Sequence, residues 1–121
     1  MSRLENLNKV IRNLSTTTPA IEAAALVDND GLMMASSLPQ DMEDDTVAAM
    51  ASALQGIAER IAAELARGDF ELVMVKGGNG YIVMTRCGSD AVLVVLTSEA
   101  AKLGLIFLDV RRAATDLGKL L

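Results

Sequence analysis

The chain has no histidine, no tryptophan and a single cysteine, Cys87, among its 121 residues. Without histidine it lacks the commonest general base and the commonest zinc ligand, and one cysteine cannot replace them. One cysteine also excludes an internal disulfide. Aromatic residues come down to one Tyr and two Phe, too few to stack the bases of a single strand. Arginine and lysine fall singly apart from Arg111–Arg112, and the net charge is −5. A nucleic-acid backbone calls for a basic stripe, so nucleic acid is a poor partner for this chain. There is no signal peptide and no apolar run of ~18 residues. The expectation is a cytoplasmic protein that does not insert into membranes and uses neither metal nor cofactor.

Hydrophobic residues make up 51% of the chain and charged residues 22%, a balance that folds. No linker, repeat or low-complexity tract divides residues 1–121, so one domain is expected, with an aliphatic, methionine-rich core. Leu4, Leu7, Val10, Ile11 and Leu14 predict an amphipathic first helix, with Ser2 as N-cap and Glu5 completing a capping box. It should end between Ser15 and Pro19, where threonines and a proline disfavour helix. Ile21–Val27 and Leu32–Ser36 flank Asp28-Asn29-Asp30-Gly31, the pattern of a β-hairpin. A calcium loop would need a further ligand series ending in Glu, where Leu32, Met33 and Met34 stand instead.

The polar loop Leu38–Asp45 leads into the stretch that organises the chain, Thr46–Arg67. Val47, Met50, Leu54, Ile57, Ile61 and Leu65 draw one stripe along this middle helix, which reads as its core face. Asp44 or Asp45 suits its N-cap and Gly68 its C-terminal stop. On the opposite side stand Ala49, Ser52, Ala53 and Gly56, where a surface helix should be charged. A helix smooth on both sides calls for a second partner.

Three strands follow in a meander: Phe70–Lys76, Tyr81–Cys87 and Ala91–Thr97, separated by turns too short for parallel crossovers. The GGNG at residues 77–80 leads into a strand and not into the helix that a phosphate loop requires. Ala91–Leu96, AVLVVL, is apolar at both parities and belongs at the centre of a sheet covered on both faces. Leu103, Ile106, Val110, Ala113, Leu117 and Leu120 mark a last helix. Leu105, Phe107 and Leu108 lie off its stripe, to be covered by the sheet or by a partner.

In order and spacing these parts resemble the roadblock (dynein light chain) family across essentially all 121 residues. The matching features are the LVDNDGLMMAS hairpin, the Ala-rich middle helix, the meander closing in AVLVVLTSEA and the LGLIFLDVRRAATDL helix. Stand-alone bacterial and archaeal members are the most similar. The resemblance implies an α+β fold, a five-stranded antiparallel sheet of order 2-1-5-4-3 with the middle helix on one face and both terminal helices on the other. It also implies a homodimer in which the third strand, here Leu72, Val73, Met74 and Val75, pairs with its mate while the middle helices lie side by side. Such an edge would be a liability if left unpaired.

Family members serve as platforms for small Ras-like GTPases, as scaffold subunits or as dynein light chains. The bacterial gliding-motility member accelerates GTP hydrolysis through its paired middle helices. Carried over, the partner surface comprises Ala49, Ser52, Ala53, Gly56, Arg60 and Ala63, and would select a hydrolysis-competent GTPase conformation. Arg60, Arg67, Arg86, Arg111 and Arg112 read as solvated residues and not as arginine fingers. The competing readings are a small ligand-sensing domain, a structural light-chain-type subunit and, last, an enzyme. The pair Asp44–Asp45 is explained as helix capping, and Cys87 as a thiol without an activating base.

Overall fold

The run that is apolar at both parities, Ala91–Ser98, forms the middle strand of a five-stranded sheet. The computed structural model describes residues 2–121. In chain order its elements are α1 (Arg3–Thr17), β1 (Ile21–Asp28), β2 (Met33–Ser37), α2 (Asp44–Glu64), β3 (Leu72–Gly77), β4 (Gly80–Cys87), β5 (Ala91–Ser98) and α3 (Leu103–Leu120). The strands pair antiparallel in the order β2-β1-β5-β4-β3. This is the expected α+β topology, element for element.

Strand alternation sends β5 into two cores. Ala91, Leu93 and Val95 pack with Ile11 and Leu14 of α1 and with Ile106, Val110 and Leu117 of α3. Val92 and Val94 pack on the other face with Ala48 and Ala51 of α2, Val27, Met84 and Phe70. Phe107 packs at the margin of the first core, whereas Leu105 and Leu108 remain exposed. Helix α1 starts as predicted, with the Ser2 hydroxyl accepting from the Glu5 amide at 3.1 Å. It also continues through the threonines to Thr17. The hydroxyls of Thr16 and Thr17 donate back to the carbonyls of Arg12 and Asn13, at 3.2 and 2.8 Å, and so stay compatible with the helix.

The middle helix departs from its sequence reading in three ways. Its N-cap is Glu43, without a side-chain bond, because Asp44 lies inside the first turn and accepts from the Ser36 hydroxyl at 3.1 Å. Its end comes before Gly68. Ala66 takes the left-handed conformation at φ 57, the Arg67 amide donates to Ala62 O and the Ala66 amide to Ala63 O, which together make a Schellman cap.

The third departure concerns which face is buried. Met50, Ile57, Ile61 and Leu65 are 61%, 57%, 54% and 64% exposed, while Ala48, Ala51 and Gln55 lie against the sheet. Large residues already fill that face of the sheet, so the helix approaches it through small ones. Its stripe of large side chains is rotated about 100°, one residue, to the flank facing β3 and β4.

Candidate functional site

Two surfaces flank α2. On the side of β3 and β4, an apolar trough of ≈ 380 Å³ opens between Val47, Met50 and Leu54 of α2 and Val75, Ile82, Met84, Val94 and Leu96 of the sheet. Further along the helix a second cleft of ≈ 460 Å³ sets Ile61 and Leu65 beside Phe70, Leu72 and Val73. Helix α2 therefore runs antiparallel to β3, its N-terminal half level with Val75 and its C-terminal half level with Val73.

Strand β3 is an edge strand. The Arg86 amide donates to Glu71 O at 3.1 Å, and Leu72 stands opposite Thr85. Because bonded pairs alternate along an antiparallel ladder, Val73 and Val75 bond β4. The backbone groups of Leu72, Met74 and Lys76 point outward. No proline interrupts this edge, and its one charge, Lys76, leans over the Tyr81 ring, 5.7 Å from the centroid. The usual protections of an exposed edge are thus few.

The other flank carries the small residues. Ala49, Ala53, Gly56, Arg60 and Ala63 are exposed, so the structure brings these expected partner-binding positions onto one outward surface. Ser52 differs. It is half-buried against the β1–β2 turn, where a Cβ on Gly31 would lie 3.3 Å from the Ser52 side chain. At Gly56 an added Cβ would meet nothing within 4 Å. Arg60 pairs with Glu64 one turn on, at 3.4 Å and fully in solvent reach, an arrangement that contributes little to stability.

A polar line beneath the helix has no counterpart in the sequence reading. Gln55, 7% exposed, donates to Asn29 Oδ1 at 3.2 Å and Glu59 Oε1 at 3.0 Å. Asn29 is itself held to the β4–β5 turn by bonds to Ser89 O and Asp90 O. Glu59 also faces Arg86 of β4 at 3.6 Å. Arg86 is therefore occupied by α2. The Asp28 carboxylate accepts the amides of Asp30 and Leu32, at 2.9 and 3.0 Å, and is used in making the turn. Among the described residues no group of His, Cys, Asp and Glu is placed to hold a metal ion. Cys87 is buried, and that burial raises its thiol pKa to about 12 against a smaller opposing pull from the backbone at Leu93. Such a thiol is no nucleophile. Among the described residues no helix is long and apolar enough to cross a membrane.

An unpaired edge strand beside a helix that turns its largest apolar side chains outward defines an interaction module, a fold with surfaces for other proteins to cover. The chain belongs to the Roadblock/LC7 domain family, whose model matches residues 7–97. The uncharacterized protein MJ0310 of Methanocaldococcus jannaschii is 41% identical over 111 residues, 92% of this chain and 96% of the relative. Among solved structures, Myxococcus xanthus MglB superposes with a TM-score of 0.91 at 24% identity, covering 99% of this chain and 90% of that one. A Roadblock/LC7 domain from Streptomyces avermitilis gives 0.85 at 23% identity, covering 93% and 94%. These likenesses establish the roadblock fold.

Proposed function

We propose that the protein is a non-enzymatic regulatory or scaffold module. Two copies associate through Leu72, Val73, Met74 and Val75 of β3 and through the outward apolar stripe of α2. The paired α2 helices then present Ala49, Ser52, Ala53, Gly56, Arg60 and Ala63 to a small Ras-like GTPase, and favour the conformation in which the GTPase hydrolyses its nucleotide. The GTPase supplies its own catalytic groups.

One observation carries this reading. Glycine inside a helix costs about 1 kcal/mol relative to alanine, yet Gly56 stands in the middle of α2 with open space where a Cβ would go. Nothing within the fold demands the missing side chain. A surface that another backbone must approach closely does demand it, and the flanking Ala49, Ala53 and Ala63 continue the same low relief.

The test is Gly56→Arg, assayed against the small Ras-like GTPases of the source organism, each purified and loaded with a non-hydrolysable GTP analogue. The variant should keep its circular dichroism spectrum and its sedimentation behaviour while losing at least tenfold in affinity for the GTPase that binds the parent. Equal binding by parent and variant rules out this face as the docking surface. Hydrolysis by the same GTPase, with and without the parent protein, separates an activator from a passive scaffold.

A further inference from the structure

Strand β2 closes the sheet at the end opposite β3, and among the described residues it pairs with β1 alone. We propose that its outer edge receives an extended segment of a partner protein in which Lys or Arg alternates with apolar residues. Because β2 and β3 are opposite ends of the sheet, this docking is independent of self-association.

The backbone of the edge has groups to offer. The Asp28 amide donates to Leu32 O at 3.0 Å. Bonded pairs alternate along an antiparallel ladder, so Leu26 and Ala24 bond β2 through Ala35 and Ser37, their partners in register. Met33 and Ser36, next to these bonded positions, turn their amides and carbonyls outward. A groove of ≈ 530 Å³ runs along them between Asn8 of α1 and Asp44 and Asp45 of α2, lined by Leu32, Met33 and Met34. Leu32 is 63% exposed. A strand laid in this groove satisfies the outward backbone groups and covers the apolar side chains together. The edge is only five residues long and carries a bulge, so side-chain recognition must add to the backbone pairing.

Charge selects the occupant. Every charged residue between Arg12 and Arg60 is acidic, a span that holds β1, β2 and most of α2. Asp41, Glu43, Asp44 and Asp45 are exposed, and among the described residues none of them forms an ion pair. Carboxylates in the first turn of α2 offset the positive end of its dipole, which accounts for Asp44 and Asp45 but not for the lack of any balancing cation. A second copy of this edge carries the same carboxylates and is repelled, whereas a basic segment is attracted. Side chains of an added strand point alternately to the two faces of the sheet. On one face they meet Asp45 and Asp44, which accepts from the Ser36 hydroxyl at 3.1 Å. On the other they meet Asn8 and Met34, which packs at the margin of the α1–α3 core. Cations therefore belong at one parity and apolar residues at the other.

The probe is an alternating Lys-Val peptide about eight residues long, with a control of the same composition in which all lysines precede all valines. Amide exchange in the isotope-labelled full chain, followed by NMR, should slow fivefold or more at Met33 and Ser36 when the alternating peptide is added. The control should bind at least tenfold more weakly by fluorescence anisotropy. Asp44→Asn and Asp45→Asn combined should lower the affinity of the alternating peptide at least fivefold. Ser36→Pro removes the outward amide and should abolish binding, while Ser36→Ala keeps that amide and should bind within twofold of the parent. If circular dichroism shows Ser36→Pro unfolded, the exchange measurement on the parent decides. Equal affinity for the two peptides overturns the proposal, because it shows attraction of charge without strand pairing. Slowed exchange at Leu72, Met74 or Lys76 in place of β2 assigns the peptide to the wrong edge and overturns it too. So does unchanged exchange at Met33 and Ser36 in about 1 mM peptide.

Discussion

Replacing Gly56 with alanine separates the demands of the fold from those of a partner. The added methyl points into open space, so the folded chain meets no clash and gains the difference in helix propensity, about 0.8–1.0 kcal/mol. For 121 residues at about 2.1 cal/mol/K of unfolding entropy per residue, that gain raises the melting temperature by roughly 4 °C. Thermal unfolding followed at 222 nm over a range of protein concentrations reads the shift. Concentration matters because self-association stabilises by mass action. In the proposed association the large stripe of α2 meets the second copy and Gly56 lies on the other flank, so the gain should not depend on concentration. The same methyl should weaken GTPase binding by fivefold or more, about 1 kcal/mol. A melting temperature that stays put or falls would refute the reasoning, because it would mean that the Gly56 flank is already covered when the protein is alone.

At the end of the same helix, Ala66→Gly relieves a left-handed alanine. The relief is worth about 1–2 kcal/mol, partly offset by the greater freedom of glycine in the unfolded chain. The expected outcome is a net stabilisation of ~0.5–1 kcal/mol, read as a higher urea midpoint with an unchanged slope. Cys87 should react with Ellman's reagent at pH 8 only as fast as the chain opens, and at once in urea. Its thiol pKa, raised from 9.0 to about 12 in the folded state, keeps a proton there that the unfolded chain releases. Its contribution to stability is thus complete below pH 9 and declines as the pH climbs through this window. A stability difference between parent and Cys87→Ala that does not change between pH 8 and pH 11 would contradict this.

The parts of the fold that were legible in the sequence are those whose physics is local. The Asp28–Gly31 turn announces itself because Asp28 bonds the amides of residues two and four further on, and such Asx turns use residue types that few other sites need. The centre of the sheet was legible in AVLVVL, because only a strand covered on both faces lacks a polar parity. The order of the remaining strands came from the family resemblance, since a chain of short antiparallel connections does not by itself say which edges lie outermost.

What stayed hidden in α2 was the direction of burial. Two stripes run along this helix one residue apart, the large one at 47, 50, 54, 57, 61 and 65 and a small one at 48, 51, 55, 58 and 62. Size argues for the large stripe as core, since burying Leu or Ile is worth about 1.5–3 kcal/mol and an alanine methyl much less. The sheet decides otherwise, for Val27, Met84, Val92, Val94 and Phe70 occupy the space that large helix residues would need. The 3-4-3-4 spacing of Ala48, Ala51, Gln55, Ala58 and Ala62 was the available signal, and Gln55 obscured it. A buried glutamine counts against a core face until its partners are known, and they are Asn29, 26 residues away, and Glu59, one turn on. Core and protein interface are built from the same side chains. A single sequence can therefore show that α2 has two apolar surfaces without showing which of them the chain covers itself, and here it covers the smaller and leaves the larger exposed.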